Sequence, residues 1–164
     1  MHVFVLGLSK TGKSTLARAI ADDWKGHVIA FDPLGDPKWK ASADFVTRDF
    51  DEFAKIYQTN RSCLCVVDEC HLIKDMKHKT ILMNMNAVGR HYGHTNLFIG
   101  HRVTSVPKGA RMLSERFLVF RQAPDDTKEI YGDYPHDAIK SLPQLQRGEY
   151  LDFDTFNCEK RKIF

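Results

Sequence analysis

Short apolar runs alternate with longer mixed stretches along the whole chain, and this alternation predicts strands alternating with helices. His2-Val3-Phe4-Val5-Leu6 reads as a short buried strand, with a helix over Thr15 to Ala21. His27 to Phe31 is a second strand, closed by the turn cluster Asp32-Pro33-Leu34-Gly35-Asp36-Pro37. A short strand falls near Phe45-Val46-Thr47, and Asp49 caps a helix running to about Gln58. Cys63 to Val67 is a strongly apolar strand, Lys74 to Arg90 a helix, and Asn96 to Gly100 another buried strand. Pro107 to Ser114 reads as a short helix and Phe117 to Phe120 as a strand. One or two helices lie between Asp125 and Leu142, and Glu149–Phe153 with Phe156–Ile163 forms a hairpin. No repeat, low-complexity tract or linker interrupts the pattern. Residues 1–164 therefore read as a single α/β domain with a mainly parallel sheet.

The first strand–helix junction carries the chemistry. Gly7-Leu8-Ser9-Lys10-Thr11-Gly12-Lys13-Ser14 matches G-x-x-x-x-G-K-[ST], in the strand–loop–helix context that the pattern requires. Gly7 and Gly12 let the backbone curl so that successive N–H groups face phosphates, and the helix N-terminus adds partial positive charge. In such a loop Lys13 reaches the β- and γ-phosphates and the Ser14 hydroxyl ligates Mg²⁺. The nucleotide-binding set is thus Gly7 to Ser14 with Thr15, and the expected ligands are ATP and Mg²⁺.

A second motif follows the strand at 63–67. An apolar run ending in Asp68-Glu69 matches a Walker B element. Asp68 is expected to hold Mg²⁺, usually through its water, and Glu69 to polarise the attacking water. Many nucleotide kinases need only the first acid, so the added glutamate favours hydrolysis over transfer to a small acceptor. The strand at 96–100 ends in His101-Arg102. In a parallel nucleotide-binding sheet that end lies beside the γ-phosphate, which makes His101 a candidate γ-phosphate sensor. A loop histidine satisfied by its own neighbours would occupy the same position in the sequence.

Composition narrows the setting. A chain of 164 residues with 43% hydrophobic content suits one soluble globular domain. No apolar run approaches membrane-spanning length, and the chain goes straight into strand and loop, which predicts neither a membrane segment nor a signal peptide. Of the four cysteines, Cys63 and Cys65 alternate within an apolar strand and read as reduced core residues, in keeping with a cytoplasmic setting. No C-x-x-C pair accompanies His91 and His94, so they do not form a zinc motif.

The net charge is +3, but it is unevenly spread. Residues 70–121 carry 9 basic and 2 acidic side chains, whereas residues 122–164 carry 6 basic and 9 acidic. The middle segment can attract polyanions, or its acidic partners can come from the other thirds. It holds Arg90, Arg102, Arg111, Arg116 and Arg121, and an arginine supplied by a neighbouring subunit raises hydrolysis by about 10³–10⁵.

Val88-Gly89-Arg90-His91-Tyr92-Gly93-His94-Thr95-Asn96-Leu97-Phe98-Ile99-Gly100-His101-Arg102 resembles the segment before the sensor strand in the FtsK–HerA superfamily of DNA-pumping ATPases. Val106 to Glu115 and Phe117 to Arg121 look like the short helix and following strand of that family. Leu142-Pro143-Gln144-Leu145-Gln146-Arg147-Gly148-Glu149-Tyr150 is similar to its L-x-x-G-E ending. The compact size looks most like the genome-packaging ATPases of viruses and phages. The resemblance implies a three-layer P-loop NTPase of the ASCE, RecA-like kind and a homo-oligomeric ring, usually of six subunits. It further implies ATP at subunit interfaces, double-stranded DNA in the pore, a capsid vertex protein as partner, and residence in host cytoplasm or virion. It assigns the sensor to His101, where the family usually has Gln, and suggests Arg90 as the arginine acting in trans. Arg102, Arg116 and Arg121 remain candidates for that role or for DNA contact.

Two other classes remain. A nucleoside-type small-molecule kinase can carry Asp-Glu after its strand, but no acceptor motif or zinc-ribbon pair is present. An ATP-dependent assembly or secretion factor normally adds a membrane segment. The length argues against a two-core helicase despite the Asp-Glu-x-His string at 68–71.

Overall fold

The computed structural model describes residues 1–106 and 108–164. In chain order the strands are β1 (His2–Leu6), β2 (Val28–Phe31), β3 (Phe45–Thr47), β4 (Leu64–Val67), β5 (Thr95–Gly100), β6 (Arg116–Phe120), β7 (Glu149–Phe153) and β8 (Cys158–Lys162). The helices are α1 (Lys13–Asp22), α2 (Trp39–Ser42), α3 (Phe50–Thr59), α4 (Met76–Val88), α5 (Lys108–Met112) and α6 (Pro124–Asp133). Short 3₁₀ segments cover Cys70–Leu72, Val103–Ser105 and Asp137–Gln144.

Every residue of β1, β2, β4 and β5 is buried, which is why these strands read as continuous apolar runs rather than alternating ones. All eight strands join one sheet in the order β3-β2-β4-β5-β1-β6-β7-β8. The pairings from β3 to β6 are parallel, and β7 and β8 add on antiparallel as the C-terminal hairpin. Alternate side chains feed two separate cores. Phe4 and Leu6 join Phe53, Tyr57, Met85 and Ile130 on the face covered by α3, α4 and α6. Val3 and Val5 join Ala17, Ala21 and Trp39 on the face covered by α1 and α2. The result is the expected three-layer α/β domain.

The local chemistry explains most boundaries. Asp49 caps α3, its carboxylate accepting from the N–H groups of Asp51 (2.8 Å) and Glu52 (3.3 Å). That helix buries Phe50, Phe53, Ala54 and Tyr57, the spacing of a single helical face. The helix expected from Lys74 begins later, at Met76, because Asp75 accepts from the His78 N–H (2.8 Å) and a 3₁₀ turn precedes it. The last strand starts at Cys158 rather than Phe156. The Asp154 carboxylate takes the N–H groups of Phe156 (2.6 Å) and Asn157 (2.8 Å) into a turn. Helix α2 was hidden in the sequence by the turn cluster before it. The expected helix start at Pro107 lies outside the described residues, and α5 is described from Lys108.

The cationic middle segment is partly neutralised by the acidic end of the chain. Arg102 meets Asp126 (2.9 Å), Lys108 meets Asp133 (2.9 Å), Arg111 meets Glu129 (2.5 Å) and Arg116 meets Asp152 (2.5 Å). Arg90 pairs with Glu115 (2.6 Å) inside the segment itself. Cys63 and Cys65 are free and buried, as expected of reduced core residues, and Cys70 is free and buried as well. Among the described residues no helix is long and apolar enough to cross a membrane.

Replacing Asp49 with Ala removes two accepted hydrogen bonds at the start of α3 and is expected to cost about 1 kcal/mol. Urea denaturation should show a lower midpoint with an unchanged slope, since the surface exposed on unfolding does not change.

Candidate nucleotide site

The C-terminal ends of parallel strands leave backbone groups without sheet partners, and ligands gather there. Here β1 runs into the Gly7–Gly12 loop, β4 into Asp68-Glu69, β5 into His101 and β6 into Arg121-Gln122. The strand order puts β5 between β1 and β4, so the two motifs flank the strand that ends in His101.

The loop hangs between its neighbours. The Gly7 N–H donates to the Gly100 carbonyl (3.3 Å) and the Leu8 N–H to the Arg121 carbonyl (3.0 Å). A Cβ at Gly7 would lie 2.6 Å from the Phe120 Cβ, so only glycine lets β6 come this close. Gly12 has φ 120, and a Cβ there would meet the Ile163 side chain at 2.9 Å. No side chain caps α1 at Gly12, which leaves the first N–H groups of the helix for an anion. The Lys13 ammonium donates to the Leu8 carbonyl (3.0 Å) and Lys13 is 6% exposed. Burial lowers its pKa, opposed by the Glu69 and Asp68 carboxylates.

A cavity of about 200 Å³ opens over this loop, lined by Lys10, Gly12, Lys13, Ser14, Thr15 and Arg147. Arg147 was not foreseen as a site residue. It arrives because the Gly148 N–H donates to the Thr11 carbonyl (2.9 Å), which pins the turn before β7 onto the loop. Its signal lay in the Arg147-Gly148-Glu149 ending, where only the Gly-Glu pair carries the pattern. A roomier cleft, about 540 Å³, lies among Pro33, Arg48, Asp49 and His78, but it offers no glycine-rich backbone for phosphates.

Asp68 is buried (5% exposed) and both its oxygens are engaged. Oδ2 accepts from the Trp39 indole N–H (2.8 Å) and Oδ1 from the Glu69 N–H (2.8 Å). Burial raises its pKa, partly offset by these two hydrogen bonds. Ionised Asp68 therefore costs stability. The contribution favours folding below the ordinary carboxylate range and is lost as pH rises through the raised value. Such a cost is what a bound cation removes. The Ser14 hydroxyl has no hydrogen-bond partner among the described residues. The pair thus fits Mg²⁺, a hard ion that takes a carboxylate and a hydroxyl. Trp39 was not foreseen either; nothing in the spacing ties residue 39 to residue 68.

Glu69 has φ 47 and ψ 44, a left-handed conformation that a non-glycine residue adopts at a cost of order 1–2 kcal/mol. The bend brings its carboxylate to His101 Nε2 (3.0 Å) and to His71 Nδ1 (3.2 Å). The His71 and His101 rings meet edge to face with centroids 4.8 Å apart. Burial lowers the His71 pKa, opposed by the Glu69 carboxylate. The His101 carbonyl also accepts from Gln122 Nε2 (3.2 Å), so β5 and β6 are tied at their ends.

The arginines divide by position. Arg102 is tied to the fully buried Asp126, which also accepts from Thr104 (3.2 Å). Arg116 grips both Asp152 oxygens (2.7 and 2.5 Å) at the N-terminal end of β6, away from the loop. Arg90 lies at the same far edge and is 62% exposed beside Glu115. It can reach no phosphate on its own loop. Arg121 is exposed at the loop edge, with no side-chain partner among the described residues. His94 is a core residue: Nδ1 accepts from the Cys63 N–H (3.1 Å) and Nε2 bonds the Tyr57 carbonyl (2.9 Å). That fixes its tautomer and removes it as a ligand.

No protein-family model and no curated protein matches the sequence. Solved structures do match. The genome packaging NTPase B204 from Sulfolobus turreted icosahedral virus 2, in complex with AMPPCP, superposes with a TM-score of 0.81 at 18% identity, over 99% of this chain and 96% of that one. The pCW3 conjugation coupling protein TcpA, with ATPgS, gives 0.74 at 14% identity, over 98% of this chain and 59% of that one. VirB4 of Thermoanaerobacter pseudethanolicus gives 0.73 at 11% identity, over 99% and 89%. At these identities the likeness shows the fold, and that fold agrees with the FtsK–HerA resemblance of the motifs.

Exchanging Trp39 for Phe removes the donor to Asp68 and should push the Asp68 carboxyl further up, as read by carboxyl NMR titration. A carboxyl pushed up in this way competes with the cation through its own proton, so nucleotide affinity in Mg²⁺ should fall at low pH and recover as pH rises. Affinity in a chelator should barely change.

Proposed function

We propose that this protein hydrolyses ATP and uses the cycle to drive double-stranded DNA, as a subunit of a viral genome-packaging motor. The observation that carries the reading is the meeting of the phosphate loop, Asp68-Glu69 and His101 at the ends of β1, β4 and β5. Structural likeness to a genome packaging NTPase supports it.

In this reading the loop N–H groups and Lys13 bind the phosphates, with Lys13 released from the Leu8 carbonyl. Arg147 and Lys10 line the same cavity and add positive charge. Ser14 and Asp68 would hold Mg²⁺, which would supply charge neutralisation for the phosphates. Glu69 is the base that orients and polarises the attacking water. His101, in contact with Glu69, reports whether the γ-phosphate is present. An arginine from the neighbouring subunit completes the site. Arg90, exposed at the far edge of the sheet, suits action in trans because it cannot act in cis. A closed ring, six subunits in this proposal, sets that edge against a neighbour's loop. The paired Arg102 and Arg116 leave less free charge for DNA than the sequence count suggests, so DNA contacts fall to unpaired cations such as Arg121 and act on backbone phosphates. A capsid vertex protein is the proposed anchor, in host cytoplasm or virion. No observation favours a nucleoside kinase. An assembly or secretion role would be supported by turnover that ignores DNA and depends on a protein partner.

The rate of ATP hydrolysis per subunit should rise with protein concentration and rise again with long double-stranded DNA, more at low salt than at high. Lys13→Ala should abolish it. A rate indifferent to both concentration and DNA would overturn the motor reading. Glu69→Gln should reduce turnover by about 10²–10⁴ while ATP still binds. Mixing Lys13→Ala with Arg90→Ala subunits tests the trans arginine. Each variant alone should be inactive, and the mixture should regain activity at interfaces that pair an intact loop with an intact arginine.

A further inference from the structure

We propose that Glu69, His71 and His101 form a binding site for a divalent transition metal of the zinc type, and that its occupancy switches hydrolysis off. The effect on hydrolysis rests on the role given to Glu69 above, whereas the metal site itself does not.

The three residues offer one carboxylate oxygen and two imidazole nitrogens, all within 4.8 Å of one another. A tetrahedral zinc site with ligand bonds near 2.1 Å has ligand atoms about 3.4 Å apart. Glu69 Oε2 lies 3.2 Å from His71 Nδ1 and 3.0 Å from His101 Nε2, so two edges are already close to that length. The third, between the rings, is no longer than 4.8 Å. Glu69 Oε2 and His71 Nδ1 are close but misaligned: neither makes a hydrogen bond, although both are shut off from solvent. A carboxylate oxygen and a ring nitrogen held side by side without a hydrogen bond suit a shared electrophile. The side chains are 17% (Glu69), 28% (His71) and 31% (His101) exposed, so the cluster borders solvent although Glu69 Oε2 and His71 Nδ1 themselves are covered. Two histidines and one glutamate are also a donor set that zinc uses with an open position.

The chemistry separates this site from the one beside it. Mg²⁺ prefers oxygen donors and keeps its waters, so two imidazoles are poor ligands for it. Zn²⁺, Co²⁺ and Ni²⁺ take imidazole readily. The loop, Ser14 and Asp68 are not part of the cluster, so nucleotide can still bind when the cluster holds a metal. Glu69 then spends its lone pair on the metal and no longer accepts a proton from water. The expected signature is loss of turnover with nucleotide affinity retained.

The test uses the full untagged chain without nucleotide, titrated with Co²⁺ as a spectroscopic probe. A saturable visible d–d band that Zn²⁺ bleaches is expected. His71→Ala and His101→Ala should each weaken the binding by more than the roughly 10–100-fold typical of losing an outer partner. His91→Ala, at an exposed histidine outside the cluster, should leave it unchanged. No band in the native chain, or a band that survives His71→Ala, would overturn the site. Hydrolysis is the second readout. Micromolar Zn²⁺ added to excess Mg²⁺–ATP should stop the native chain without displacing nucleotide. His71→Ala, which keeps Glu69 and His101, should turn over ATP and ignore zinc. Equal inhibition of both chains would mean that zinc acts at the Mg²⁺ position and would overturn the switch. A chain that binds Co²⁺ but never hydrolyses ATP would refute the function proposed above and leave the metal site standing.

Discussion

The phosphate loop is held open by the strands on either side of it. Hydrogen bonds from Gly7 to the Gly100 carbonyl and from Leu8 to the Arg121 carbonyl carry the sheet past the end of β1. The loop therefore takes its shape from β5 and β6 before any ligand arrives. The sheet thus positions the loop backbone, while Lys13 still rests on the Leu8 carbonyl. Everything else at the site depends on the order of those strands. With β5 between β1 and β4, His101 must lie between the loop and Asp68-Glu69.

Strain and burial are concentrated at the same place. Asp68 is a buried carboxylate steadied by an indole N–H, Glu69 bends into a left-handed conformation, and Lys13 is buried against a carbonyl. Each is an unfavourable choice for a stable domain alone, and each makes sense where a cation and a polyphosphate are to be received. The rest of the sheet bears the cost. Its central strands are buried on both faces, and two independent cores hold the layers together.

Charge behaves differently in three dimensions than along the chain. The basic middle segment and the acidic end look like opposed regions in sequence, yet they form one set of ion pairs across β6, α5, α6 and β7. Arg111 is 4% exposed and serves the packing of α5 on α6. The surface left for a polyanion is the unpaired remainder, and that remainder includes the loop edge at Arg121.

The sequence by itself determined most of the elements, α2 excepted, and placed the two motifs. Buried parallel strands are short apolar runs, helix starts carry caps such as Asp49, and a phosphate loop needs fixed spacing because its groups are neighbours in the chain. Those signals are local, and so are Gly7 to Ser14 and the Asp68-Glu69 pair. Tertiary structure decided what lies between distant segments: Trp39 on Asp68, Arg147 over the loop, the pairing of Arg102 and Arg116, and His101 on Glu69. His71 and His101 stand 30 residues apart in the sequence and are edge to face in the fold. No local spacing encodes such contacts, because they exist only once β4, β5 and β6 are aligned and their ends meet.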